Sequence, residues 1–155
     1  MFRRMKCLAC VGLIVSACAA RGMDTAPAIY PPAVYSQRVG TNDVTIYWRC
    51  TREATQVQIE GVVQNVRGGA VKFMELELTG ANARDRYISA ATTALKDIVL
   101  QTSQIAPFVI QLRLAGDESR LDLFYRYQVE SALGGDLRPH FRALDVCSPA
   151  RHRFK

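Results

Sequence analysis

From Thr41 onward apolar and polar residues alternate with period two, the spacing that places every second side chain on one face of a β-strand. Val44, Ile46, Trp48 and Cys50 share a face, with Thr45, Tyr47 and Arg49 between them. Val57, Ile59, Gly61 and Val63 repeat the pattern. Val71 and Phe73 alternate, and then Met74, Leu76 and Leu78 continue on the opposite parity. One extra residue in a strand flips every later side chain, so this switch predicts a β-bulge. Phe108, Ile110, Leu112 and Leu114 form a further stripe. Leu121, Leu123, Tyr125, Tyr127 and Val129 form the longest, opposite Asp122, Phe124, Arg126 and Gln128.

Residues 64–69, 80–85 and 116–118 carry the glycine, asparagine and aspartate of turns. Residues 86–101 are ambiguous. Ala90, Ala91, Ala94 and Leu95 suit one face of a helix, whereas Ile88, Thr92, Thr93, Ile98 and Val99 favour two short strands, about 86–92 and 95–101. At least five half-buried strands separated by turns predict an all-β antiparallel sandwich of about seven strands over 41–147. Its core is expected to contain Val44, Ile46, Trp48, Ile110, Leu112, Leu121, Leu123, Tyr125 and Tyr127.

The N-terminus reads differently. Arg3, Arg4 and Lys6 precede an apolar run from Cys7 to Val15, too short to span a bilayer, which needs about 20 residues. Val15-Ser16-Ala17-Cys18 resembles a bacterial lipobox. That resemblance implies a signal peptide over 1–17 and a diacylated Cys18 as the mature N-terminus, anchored to the membrane. An ordinary cleaved signal or a short helix is the alternative. Ala19 after the cysteine implies the outer membrane, facing the periplasm, rather than the inner one. Residues 18–40 hold Pro27, Pro31 and Pro32 and read as a tether, with Tyr30, Val34 and Tyr35 available to dock.

The chain has 155 residues, 49% of them hydrophobic and 22% charged, enough to bury one core. The net charge of +6 owes three positive charges to Arg3, Arg4 and Lys6, and no acid occurs before Asp24. What remains is too balanced for a nucleic-acid binder. Arg138, Arg142, Arg151, Arg153 and Lys155 make the C-terminal region basic, with 148–155 read as a tail. Of five cysteines, Cys50 and Cys147 lie beyond the lipobox, an even pair in an exported chain that predicts a disulfide. Two free thiols, or a metal site with His140, are the alternatives.

Gly61-Val62-Val63-Gln64-Asn65 resembles the G-x-V-x-N signature of the FxLYD-type, immunoglobulin-like domains of bacterial envelope proteins. Val71 to Leu78 resembles their central strand, and Ile105-Ala106-Pro107-Phe108 the loop entering the next one. The resemblance covers about 60–130. It implies an immunoglobulin-like fold in a cell envelope and no catalytic residues.

No pattern of catalysis emerges. There is no G-x-S-x-G, and Gly68-Gly69 lacks the lysine of a phosphate loop. Glu75 and Glu77 read as solvated residues of a half-buried strand, and His140, near Asp136 and Asp145, as a surface residue. The expectation is therefore a non-enzymatic, cofactor-free envelope lipoprotein that binds a protein partner. Its contact would be an exposed sheet edge or the outward Tyr47 and Phe124. The alternative is a carrier of a small apolar or glycan ligand, held between the sheets or in end loops.

Overall fold

The computed structural model describes residues 34–131 and 134–148. Ten strands and no helix occur among them: β1 (Gln37–Gly40), β2 (Val44–Arg52), β3 (Gln56–Asn65), β4 (Val71–Ala81), β5 (Tyr87–Ala94), β6 (Val99–Leu100), β7 (Ile105–Arg113), β8 (Arg120–Glu130), β9 (Asp136–Leu137) and β10 (His140–Ala143). One sheet runs β1-β2-β3-β7 and the other β10-β8-β4-β5, with β6 on β4 and β9 on β8. Every pairing is antiparallel. The long strands β2, β3 and β7 thus face β4, β5, β8 and β10, with the chain changing sheets after β3, before β7 and again before β8. That order is the Greek-key wiring of an immunoglobulin-like sandwich whose fourth long strand stays beside the third.

The predicted stripes are the core. Each of the nine core residues named from the sequence is at most 3% exposed, and the apolar faces of both sheets merge into one cluster. Polar residues fill the alternate positions because those face out.

The parity switch in β4 is a bulge. Lys72 pairs with Gln128 and Glu75 with Arg126, so Phe73 and Met74 oppose Tyr127 alone. Met74 turns inward, and Phe73, at φ 51°, turns outward and is 60% exposed. A left-handed backbone costs a non-glycine residue about 1–2 kcal/mol. Across the bulge the neighbouring strand breaks too: the Phe73 amide donates to the Ile98 carbonyl and the Leu95 amide to the Met74 carbonyl. Residues 86–101 are therefore strands, but the first extends to Ala94 and the second shrinks to Val99–Leu100.

The sandwich begins at Gln37, inside the segment read as tether, because β1 pairs with Thr45–Trp48 of β2. Four residues are too few for period two to stand out. At the other end, Cys50 and Cys147 are joined, their Cα atoms 5.3 Å apart. Beside them the Trp48 indole Nε1 donates to the Val146 carbonyl at 2.8 Å. Together these tie the segment after β10 to β2.

Candidate functional site

The motif residues are structural. Gly61 pairs with Phe108, and a Cβ on Gly61 would strike the Tyr47 carbonyl oxygen and lie 2.9 Å from the Phe108 ring. The glycine is there so that backbone and ring can meet. Asn65 is fully buried. Its amide donates to the carbonyls of Gly69 and Leu100, both at 2.8 Å, and its oxygen accepts from the Arg67 amide at 2.8 Å. It fixes the turn after β3 and holds β6 in place.

Tyr47 and Phe124 do not share a surface. Tyr47 stands half-buried on the outer face of the four-stranded sheet, in register with Arg38 and Val62. Phe124 faces outward from the other sheet, where Tyr87 meets its ring edge-on at 5.7 Å and the Arg142 guanidinium lies 5.4 Å above it. Beside it Asp122 is fully buried. Arg142 donates to that carboxylate at 2.7 Å, Arg120 at 3.0 Å and the Asp145 amide at 3.1 Å. Burial pushes the Asp122 carboxyl up, but these three donors outweigh it and hold the group below the ordinary carboxylate range. Glu118 behaves likewise. Burial pushes it up, and the Ser89 hydroxyl and the Ala115 and Gly116 amides hold it down.

The same outer face carries an open recess. Register sets Lys72 opposite Gln128, Glu75 opposite Arg126, and Arg126 opposite His140. Arg126 grips Glu75 through two nitrogens at 2.7–2.9 Å, so the floor is neutral. Around it Phe73, Gln128, Arg138 and His140 line an open cleft of about 520 Å³. A recess of about 120 Å³, lined by Glu77, Phe124 and Phe141, continues from it and shares Glu75, Arg126 and His140. Arg138 and Lys72 form no ion pair among the described residues. His140, read from the sequence beside Asp136 or Asp145, bonds to neither and instead belongs to this cleft. Phe73 and Gln128 were the residues sequence reading missed; the parity switch at Phe73 was the available signal.

Cys18 lies outside the described residues, as do 1–33 and the end of the basic tail. Cys50 and Cys147 are consumed by their bridge, so neither joins His140 in a metal site.

The strand order defines an immunoglobulin-like antiparallel β-sandwich. No family model and no curated relative matches the sequence. Among solved structures the chain is similar to the GAE domain of GGA2p from Saccharomyces cerevisiae, at 10% identity and TM-score 0.49, covering 74% of this chain and 97% of that one. It is also similar to the yeast GGA1 GAE domain, at 10% identity and TM-score 0.44, covering 70% and 98%. A structural-genomics target, SoR45, aligns at 12% identity and TM-score 0.39, covering 78% and 86%.

Proposed function

We propose that the protein is a non-enzymatic envelope lipoprotein, anchored through Cys18 and facing the periplasm from the outer membrane, whose sandwich docks a protein partner along β5. The lipobox-like run and the FxLYD-like signature support the setting. The observation that carries the docking is the edge itself. β5 reads Tyr-Ile-Ser-Ala-Ala-Thr-Thr-Ala, with no charge and no proline, and borders the larger sheet with most of its residues exposed. Unguarded edges of this kind accept an added strand. β7, the facing edge of the other sheet, carries Pro107 and Arg113 as guards. An internal carrier role has little room, since Ile46, Ile59, Leu76 and Leu123 fill the space between the sheets.

The experiment is a photo-crosslinker at Thr92 in the cell envelope, with and without Ala90→Lys, compared in the wild type and in Cys18→Ser. One defined adduct is expected, lost with the edge lysine and lost when Cys18→Ser releases the protein from membranes. An adduct indifferent to both changes would overturn the reading.

A further inference from the structure

We propose that the cleft on the outer face of the larger sheet binds an acidic saccharide, with a sugar ring stacked on Phe73 and its carboxylate held by Arg138 and His140. This site is separate from the β5 edge and goes beyond the docking proposed there.

Three independent features point to a ligand. Phe73 is 60% exposed, and the bulge keeps it there in a left-handed backbone that a phenylalanine seldom adopts. A large apolar ring held outward at a conformational cost is a contact surface waiting for a flat apolar face. Second, Gln128 lines the cleft, and its side-chain amide forms no hydrogen bond among the described residues. No side-chain nitrogen or oxygen is buried without a partner among the described residues, so the Gln128 amide opens into the cleft, where its donors and its acceptor face whatever enters. Third, the guanidinium of Arg138 has no ion pair among the described residues and shares the cleft with the His140 imidazole. Arg138 has the fork geometry that matches a carboxylate, and the imidazole carries an N–H donor in either protonation state.

The chemistry selects among ligands. An extended peptide draws its affinity from a backbone ladder at a sheet edge, whereas here β4 and β8 each lie between neighbouring strands and offer no free edge, so side chains are what the cleft presents. A nucleic acid needs a concentrated basic face, and Glu75 and Glu77 interrupt this one. A purely apolar molecule would leave Gln128 and Arg138 desolvated and unpaired. A pyranose offers a C–H face to the aromatic ring and hydroxyls to the planar amide and the Glu75 carboxylate, and a uronic-type carboxylate pairs with the Arg138 guanidinium. The cleft of about 520 Å³ has the size of a small-ligand site. Its continuation past His140 towards Phe124 gives room for a second ring along β8.

The full-length chain, titrated with trigalacturonic acid, tests this by the side-chain amide resonances of Gln128 and by calorimetry. Saturable binding at about 1 mM or tighter is expected, with the methyl ester and neutral maltotriose about tenfold weaker or worse. Arg138→Gln should weaken the acid by about tenfold and leave the ester unchanged. Phe73→Gly relieves the left-handed backbone, so it should fold as well as the parent and still lose about tenfold in affinity. The proposal is overturned if Gln128 does not respond at roughly 10 mM ligand, if acid and ester bind alike, or if Phe73→Gly binds as tightly as the parent. Preference for a polyglutamate peptide over the saccharide would also overturn it and assign the cleft to an acidic protein segment.

Discussion

Gly61, Asn65 and Asp122 show what a single position can and cannot disclose. Gly61 and Asn65 stood out in the sequence as a spaced pair at a strand end, and both prove to be structural: one admits the Phe108 ring, the other satisfies three backbone groups. Gly61→Ala should therefore cost about 1–3 kcal/mol or more, since backbone as well as ring must move. Urea unfolding of the variant beside Gly68→Ala, where a Cβ meets nothing within 4 Å, measures the difference. Equal midpoints would show that the Phe108 contact is dispensable. Asp122 was not legible in this way. It sits at an outward position of a clean stripe, yet it is fully buried, with Arg120 and Arg142 paired to its carboxylate. Arg142 arrives from another strand, and nothing local to Asp122 announces it.

At the level of elements, periodicity was sufficient wherever a strand buried one face over several residues. The stripes of β2, β3, β7 and β8 and the bulge in β4 could all be read, because a parity slip in an apolar run has few other causes. The short β1, β9 and β10 could not, since their pairing depends on partners already in place. Export and an even count pair Cys50 with Cys147 from the sequence alone, and the structure supplies the geometry. Their bond closes 97 residues, for which chain entropy gives up to about 4–5 kcal/mol, and real values are often lower. Cys50→Ala/Cys147→Ala should lower the denaturation midpoint and speed hydrogen exchange at the Trp48 indole, whose acceptor is the Val146 carbonyl. An unchanged indole exchange rate would mean that the hydrogen bond alone holds the segment.

For the whole molecule, stripe counting identified a sandwich, but which strand lies beside which came only from the structure. The outer face of the larger sheet, with its cleft and its arginine-covered aspartate, is a product of that neighbourhood. Acid stability belongs to this scale, because the two held-down carboxylates fasten different parts together. Asp122 joins β8 to β10 and to the segment beyond, and Glu118 joins the turn before β8 to Ser89 of β5. Both have folded pKa values below their unfolded ones of about 4. Their stabilisation is thus fully present above that value and lost as pH falls through the lower folded values. Urea midpoints should hold from pH 7 to about pH 5 and drop below about pH 4. Asp122→Asn should flatten that drop while itself costing about 1–3 kcal/mol, because Arg142 loses its carboxylate partner and Arg120 keeps only Asp85. A profile as steep in the variant as in the parent would place the acid sensitivity elsewhere.

The bridge from Cys50 to Cys147 also sets a clock. A chain emerging N-terminus first from a ribosome or a pore presents β2 early, with Trp48 lacking its acceptor and Cys50 lacking its mate, and both wait for nearly the whole domain to appear. β2 and β3 can zip as neighbours in the meantime, but the corner they form stays open until the last residues arrive. The covalent seal is therefore a record of completion: a chain cut short before Val146 leaves Cys50 as a thiol, where a trap or an oxidant catalyst can find it.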